Sequence, residues 1–177
     1  MVLEHSFCKR RSPINSFKVD IQSYIFAARS DISFLQHTLP ALVKIPPKEE
    51  SKVSVILDTG NPSGVLGSSL VQCDLNEVVQ KIEKIQTSDT FNFIKTKYDS
   101  LTIQETNRIQ FGCPLKETHC FRGYPIYGSF KQFIDTDSKY ILHLDCDMIF
   151  YEAPKYSWIK EGMRIMEENQ DLSLIHI

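Results

Sequence analysis

Short runs rich in β-branched and aromatic residues alternate along this chain with segments of helical periodicity. That alternation constrains the fold more than any other feature. Val19 to Ala28 reads as a first strand, ending at Arg29-Ser30-Asp31. Ser30 or Asp31 can cap a following helix that carries Phe34, Leu35, Thr38, Leu39 and Leu42 on one face, with Pro40 expected to kink it or end it early. Pro46-Pro47 and Lys48-Glu49-Glu50 form a polar break before a second strand, Val53 to Leu57, which runs into the turn formers of Asp58 to Gly64. Leu75 to Ile85 is a helix with an apolar stripe of Leu75, Val78, Val79, Ile82 and Ile85. Phe91 to Tyr98 reads as a third strand and Leu101 to Phe111 as a weaker helix. Tyr124 to Ile134 is a helix leading into an apolar strand at 140–144, and Ser157 caps an amphipathic helix that reaches Glu168. Strands separated by helices imply right-handed β-α-β units. The expected architecture is therefore one α/β domain, a mostly parallel sheet in a three-layer α/β/α arrangement.

Charge and cysteine usage narrow the function. With 177 residues, 42% apolar and 24% charged, the chain has the composition of an ordinary soluble domain. A formal charge of −2 makes the whole molecule no magnet for nucleic acid or anionic membrane. The cluster Lys9-Arg10-Arg11 reads as a solvated tail within an irregular segment, 1–18. No run of about 18 apolar residues exists, so no transmembrane segment is expected, and Met1 to Pro13 lacks the apolar stretch of a signal peptide. The five cysteines are widely spaced with no C-x-x-C pair, which indicates neither a zinc site nor a disulfide framework and fits a cytoplasmic setting.

The chemistry concentrates at the strand ends, where open α/β sheets gather their ligands. Tyr140-Ile-Leu-His-Leu-Asp-Cys-Asp-Met148 puts Asp145 and Asp147 at the end of an apolar strand. Burying an unpaired carboxylate is costly, so a D-x-D in such a run calls for a partner. From an extended backbone residues i and i+2 point the same way, so both carboxylates can approach one Mg²⁺ or Mn²⁺ that bridges a diphosphate. The alternative is a strand-terminating turn with two solvated carboxylates. Asp58 can accept from a base N–H or ribose hydroxyls, although Asp before Thr-Gly is also ordinary turn chemistry. Arg29 can hold a phosphate bidentately or lie on the surface. His143 reads as a packed core histidine, and Cys146, between two carboxylates, as a thiol with a raised pKa and no nucleophilic role. His119, Cys113 and Cys120 lie on a loop without tight spacing and are not read as a metal cluster, while Trp158 is expected to pack its helix on the sheet.

These motifs resemble nucleotide-diphospho-sugar transferases of the Rossmann-like GT-A fold, family-two-like bacterial glycosyltransferases in particular. The resemblance rests on Tyr140 to Met148, on Gly123-Tyr-Pro-Ile-Tyr-Gly-Ser129 and on Ser157-Trp-Ile-Lys-Glu-Gly162, and covers about Val19 to Gln170. It implies metal and donor-diphosphate binding by Asp145 and Asp147, Ala28 and Arg29 beside the nucleotide, and Asp58 near the base or ribose. The first strand ends in Ala-Ala-Arg-Ser where the family more often has Pro-x-Tyr/Arg-Asn, and the second lacks its paired Asp-Asp-Gly-Ser.

The implied activity is transfer of a sugar from a nucleotide-diphosphate donor to an unassigned acceptor (glycan, lipid or protein). Two other readings stand beside it. One is a fragment that holds sugar nucleotide without turnover. The other is a D-x-D phosphohydrolase in which Asp145 attacks phosphorus, against which stand Ile149 at the usual Thr/Val position and the motif's late place in the chain. The last six residues, 172–177, spell the translation of a transposon-end sequence used to prepare sequencing libraries (CTG TCT CTT ATA CAC ATC). The expectation is that 19–171 is the donor-binding part of the domain, that 172–177 is non-native, and that the catalytic base lies beyond Asp171.

Overall fold

Among the described residues four strands form one sheet in which every neighbouring pair runs parallel: β1 (Ile21–Ala27), β2 (Ser51–Leu57), β3 (Asn92–Lys95) and β4 (Tyr140–Asp145), in the order β3-β2-β1-β4. The computed structural model describes residues 20–46, 51–61, 65, 73–86, 90–151 and 156–172. The N-terminal segment with its basic cluster, much of the Pro46 to Glu50 break, 62–64 of the turn-rich loop and 173–177 of the tail lie outside the described residues.

Register carries the strand ends to a common edge. Ile25 pairs with Val55 and with Leu144, so one face of the sheet presents Ile25, Ala27, Val55, Leu57 and Leu144 together. These residues join Leu35, Leu39 and Leu42 of α1 (Leu35–Leu42) and Val78 and Ile82 of α2 (Leu75–Ile85) in the main core. Side chains of opposite parity, including Tyr24, Phe26, Ile56 and His143, face the other layer. There α3 (Ser100–Phe111) packs on α4 (Tyr127–Asp135), and Phe133 of α4 lies 5.9 Å from the His143 ring. The β1-α1-β2-α2-β3 connections step one way across the sheet and the β3 to β4 connection steps back. Right-handed crossovers then require helices on opposite faces, as observed.

Capping follows the residue types. Asp74 accepts from the Asn76 N–H (2.9 Å) to open α2, and Asp99 accepts from the Thr102 N–H (2.8 Å) to open α3. α3 stops at Gly112, whose φ of 75° lets its N–H reach the Arg108 carbonyl (2.9 Å). Ser157 caps α5 (Trp158–Glu168), and Trp158 stacks on Phe150 (5.4 Å) against the main core, as expected of it. Among the described residues no helix is long and apolar enough to cross a membrane.

Several boundaries differ from expectation. The third strand is only Asn92–Lys95, because the chain beyond it bonds back to the β2 loop through Thr59 Oγ1 and the Thr96 carbonyl (2.6 Å). The helix expected from Tyr124 begins at Tyr127, because His119 bridges Pro125 and Gly123 takes a φ of 96° in the intervening turn. A 3-10 turn (Arg29–Ser33) precedes α1, Phe34 is half exposed, and Asp31 receives the Ala28 N–H (2.6 Å) instead of capping α1. Pro40 lies within α1, which ends two residues later.

Candidate functional site

The loops that follow β1, β2 and β4 meet at one sheet edge, so Ala28, Arg29, Asp58, Asp145 and Asp147 all belong to the carboxyl ends of neighbouring strands. The strand order reverses between β1 and β4, the place where doubly wound sheets open a ligand crevice.

At the β2 end the carboxylate itself is buried and bonded. Asp58 is 7% exposed; its Oδ1 accepts from the Gly60 N–H (2.8 Å) and its Oδ2 from the Tyr98 hydroxyl (2.5 Å). A Cβ on Gly60 would come within 2.8 Å of the Tyr98 ring, so this turn needs glycine for space. Burial, then the Asp58 charge, pushes the Tyr98 phenol well above its ordinary pKa, so it stays a donor. Asp58 therefore works in the fold as a clamp on the turn, with both oxygens engaged.

In front of this clamp opens a cavity of about 590 Å³, walled by Arg29, Thr59, Gly60 and Tyr98 on one side and by the 116–119 segment on the other. Arg29 donates from Nη2 to the Thr59 carbonyl (2.8 Å), and its Nε is buried without an acceptor. The His119 ring lies nearly parallel to Tyr98, 6.4 Å between centroids, so this histidine, expected on an unremarkable loop, belongs to the cavity wall. The segment is pinned from both sides. Asn107, 1% exposed on α3, donates to the Leu115 (3.0 Å) and Glu117 (2.8 Å) carbonyls, and the Thr118 carbonyl accepts from Ile126 and Tyr127 at the start of α4. Tyr98, Lys116, His119 and Asn107 were not singled out from the sequence as site residues. The one signal for them was a polar Asn on the buried side of a helix.

The β4 end is open. Neither carboxylate is buried: the Asp145 side chain is 65% exposed and Asp147 is exposed, so the cost of burial does not by itself demand a counter-ion here. β4 is an edge strand among the described residues. The expected extended geometry is corrected. β4 ends at Asp145, and the Met148 N–H closes a turn onto the Asp145 carbonyl (3.2 Å), so Asp147 belongs to a turn. Asp145 Oδ1 lies 3.3 Å from His143 Nε2, and that hydrogen bond holds the carboxyl below its usual range. His143 is thus a face residue, a third exposed and stacked on Phe26 (4.3 Å), and not the core histidine expected.

Cys146, between the two carboxylates, is 1% exposed, and burial followed by the Asp31 charge pushes its thiol far up, as its neighbourhood led us to expect. Among the described residues no group of three or more His, Cys, Asp or Glu side chains stands ready to hold an ion. The D-x-D offers two exposed carboxylates, and an ion held there would have to bring most of its own ligands as phosphate and water oxygens, the habit of Mg²⁺. No family model, no curated protein and no solved structure matches this chain.

Proposed function

We propose that this edge of the sheet is the donor site of a GT-A-type glycosyltransferase that takes a nucleotide-diphosphate sugar. The observation that carries the reading is the placing of an exposed D-x-D at the carboxyl end of β4, beside the end of β1, where the strand order reverses. The nucleoside fits the cavity bounded by Tyr98 and His119, two ring faces suited to a base, with Arg29 and Lys116 as cations for phosphate oxygens. Asp145 and Asp147 would hold Mn²⁺ or Mg²⁺ together with the diphosphate. When bound, the ion would neutralise the charge that grows on the departing diphosphate. Asp58, with both oxygens occupied, is assigned to shaping the cavity and not to reading the base.

The test is calorimetric titration with UDP- and GDP-sugars, with and without Mn²⁺, followed by assay of donor hydrolysis and of simple phosphate-ester hydrolysis. Metal-dependent donor binding is expected. Binding without any turnover would make the chain a sugar-nucleotide-holding module. No donor binding, together with phosphate-ester turnover, would replace the proposal with a phosphohydrolase.

A further inference from the structure

We infer that Thr38 and Asp31 are positioning residues for the D-x-D: they grip the intervening Cys146 and thereby set where the two flanking carboxylates stand. The inference rests on the donor-site reading above.

Cys146 is held at three of its atoms. Its N–H donates to the Phe26 carbonyl (2.9 Å), continuing the β1–β4 ladder by one step. Its carbonyl accepts from the Thr38 hydroxyl (2.5 Å). That hydroxyl also lies 3.1 Å from the Phe34 carbonyl, so its one proton is shared between the two carbonyls. The thiol donates to Asp31 Oδ2 (3.2 Å), and Asp31 is itself fixed by the Ala28 N–H (2.6 Å) and the Ser30 hydroxyl (3.0 Å). The centre of the turn is therefore tied to the β1 loop and to α1, both part of the main core, while the carboxylates on either side are exposed.

This arrangement matters because a site with two protein carboxylates has no redundancy. If the turn shifted, one of the two carboxylates that would hold the ion would be lost to it. Groups that orient first ligands typically change metal affinity by about 10- to 100-fold when removed.

The test uses Thr38→Val, which keeps shape and removes the hydroxyl, and Thr38→Ser, which restores it. Three quantities are followed: melting temperature, affinity for Mn²⁺ in the presence of UDP or GDP, and alkylation of Cys146 relative to the exposed Cys113, resolved by peptide mass spectrometry. The expected result is slow Cys146 alkylation in the unaltered chain and about tenfold or greater loss of Mn²⁺–nucleotide affinity in Thr38→Val. Thr38→Ser should return affinity to near the starting value. Should Thr38→Val not fold, Cys146→Ala removes the Asp31 contact and takes its place, with Cys146→Ser as its restoring partner. Unchanged affinity in the variant overturns the inference and leaves the donor site standing. Absent or metal-independent binding in the unaltered chain overturns both.

Discussion

Two aspartates end neighbouring parts of the same sheet, and the fold treats them in opposite ways. Asp58 at the end of β2 is 7% exposed and gives both oxygens to its own structure, one to the Gly60 N–H and one to the Tyr98 hydroxyl. Asp145 at the end of β4 has a side chain 65% exposed, and the partner of its carboxylate is His143. A carboxylate that the fold has saturated holds a wall in place. One that the fold leaves facing solvent has oxygens open to water or to a ligand. The two are alike as sequence, each an Asp after an apolar strand, and it is the sheet position that separates them: β2 is interior, with β1 and β3 on either side, and β4 is an edge among the described residues.

The largest effect should come from removing the saturated aspartate. Asp58→Ala leaves the Tyr98 hydroxyl and the Gly60 N–H, both half-buried in the cavity wall, without their acceptor and should cost about 1–3 kcal/mol in denaturant unfolding. Asp145→Ala, at an exposed site, should stay within about 0.5 kcal/mol. Equal costs at the two positions would break the comparison.

Close to it in size is Tyr98→Phe, which deprives the buried Asp58 carboxylate of a donor and should cost about 1–3 kcal/mol. It also carries a pH signature. The Tyr98 phenol is raised in the folded state by burial and by Asp58, so its contribution is complete below the ordinary tyrosine pKa of about 10 and is lost as pH climbs through the raised folded value. Stability of the unaltered chain should therefore fall more steeply above pH 10 than that of Tyr98→Phe, as thermal melts across an alkaline series would show.

A smaller effect is expected at the open end. His143 holds the Asp145 carboxyl below its usual range, so any stabilisation from this contact is present at neutral pH and disappears as pH falls through the depressed folded value. His143→Ala should raise the Asp145 midpoint toward the ordinary carboxylate value, read by side-chain NMR titration, with little change in melting temperature. An unmoved midpoint would mean that His143 does not tune this carboxylate.

The sequence carries the framework of this molecule well and its closures poorly. The strands expected at 19–28, 53–57 and 140–144 are observed at Ile21–Ala27, Ser51–Leu57 and Tyr140–Asp145, because β-branched and aromatic runs advertise themselves locally. The helix at Leu75–Ile85 and the Ser157 cap are equally local signals. The cavity wall is a different matter. Tyr98 and His119 come together because Asn107 and Thr118 tie down a loop whose own residues follow no period, and such contacts are invisible without the fold. The exposure of the D-x-D is hidden from the sequence for a related reason. An apolar strand reads alike at an edge and in the interior, and only the sheet order shows that, among the described residues, β4 has β1 on one side alone.

The account's central claim is that the exposed D-x-D is the ligand-holding end of this edge and Asp58 the structural one. The most direct measurement titrates UDP- and GDP-sugars with Mn²⁺ into the unaltered chain and into Asp145→Asn, with melting temperatures recorded for both. The account predicts metal-dependent binding in the unaltered chain, its loss in Asp145→Asn, and a melting temperature that barely moves. Donor binding that survives Asp145→Asn, or that ignores the metal, would contradict it.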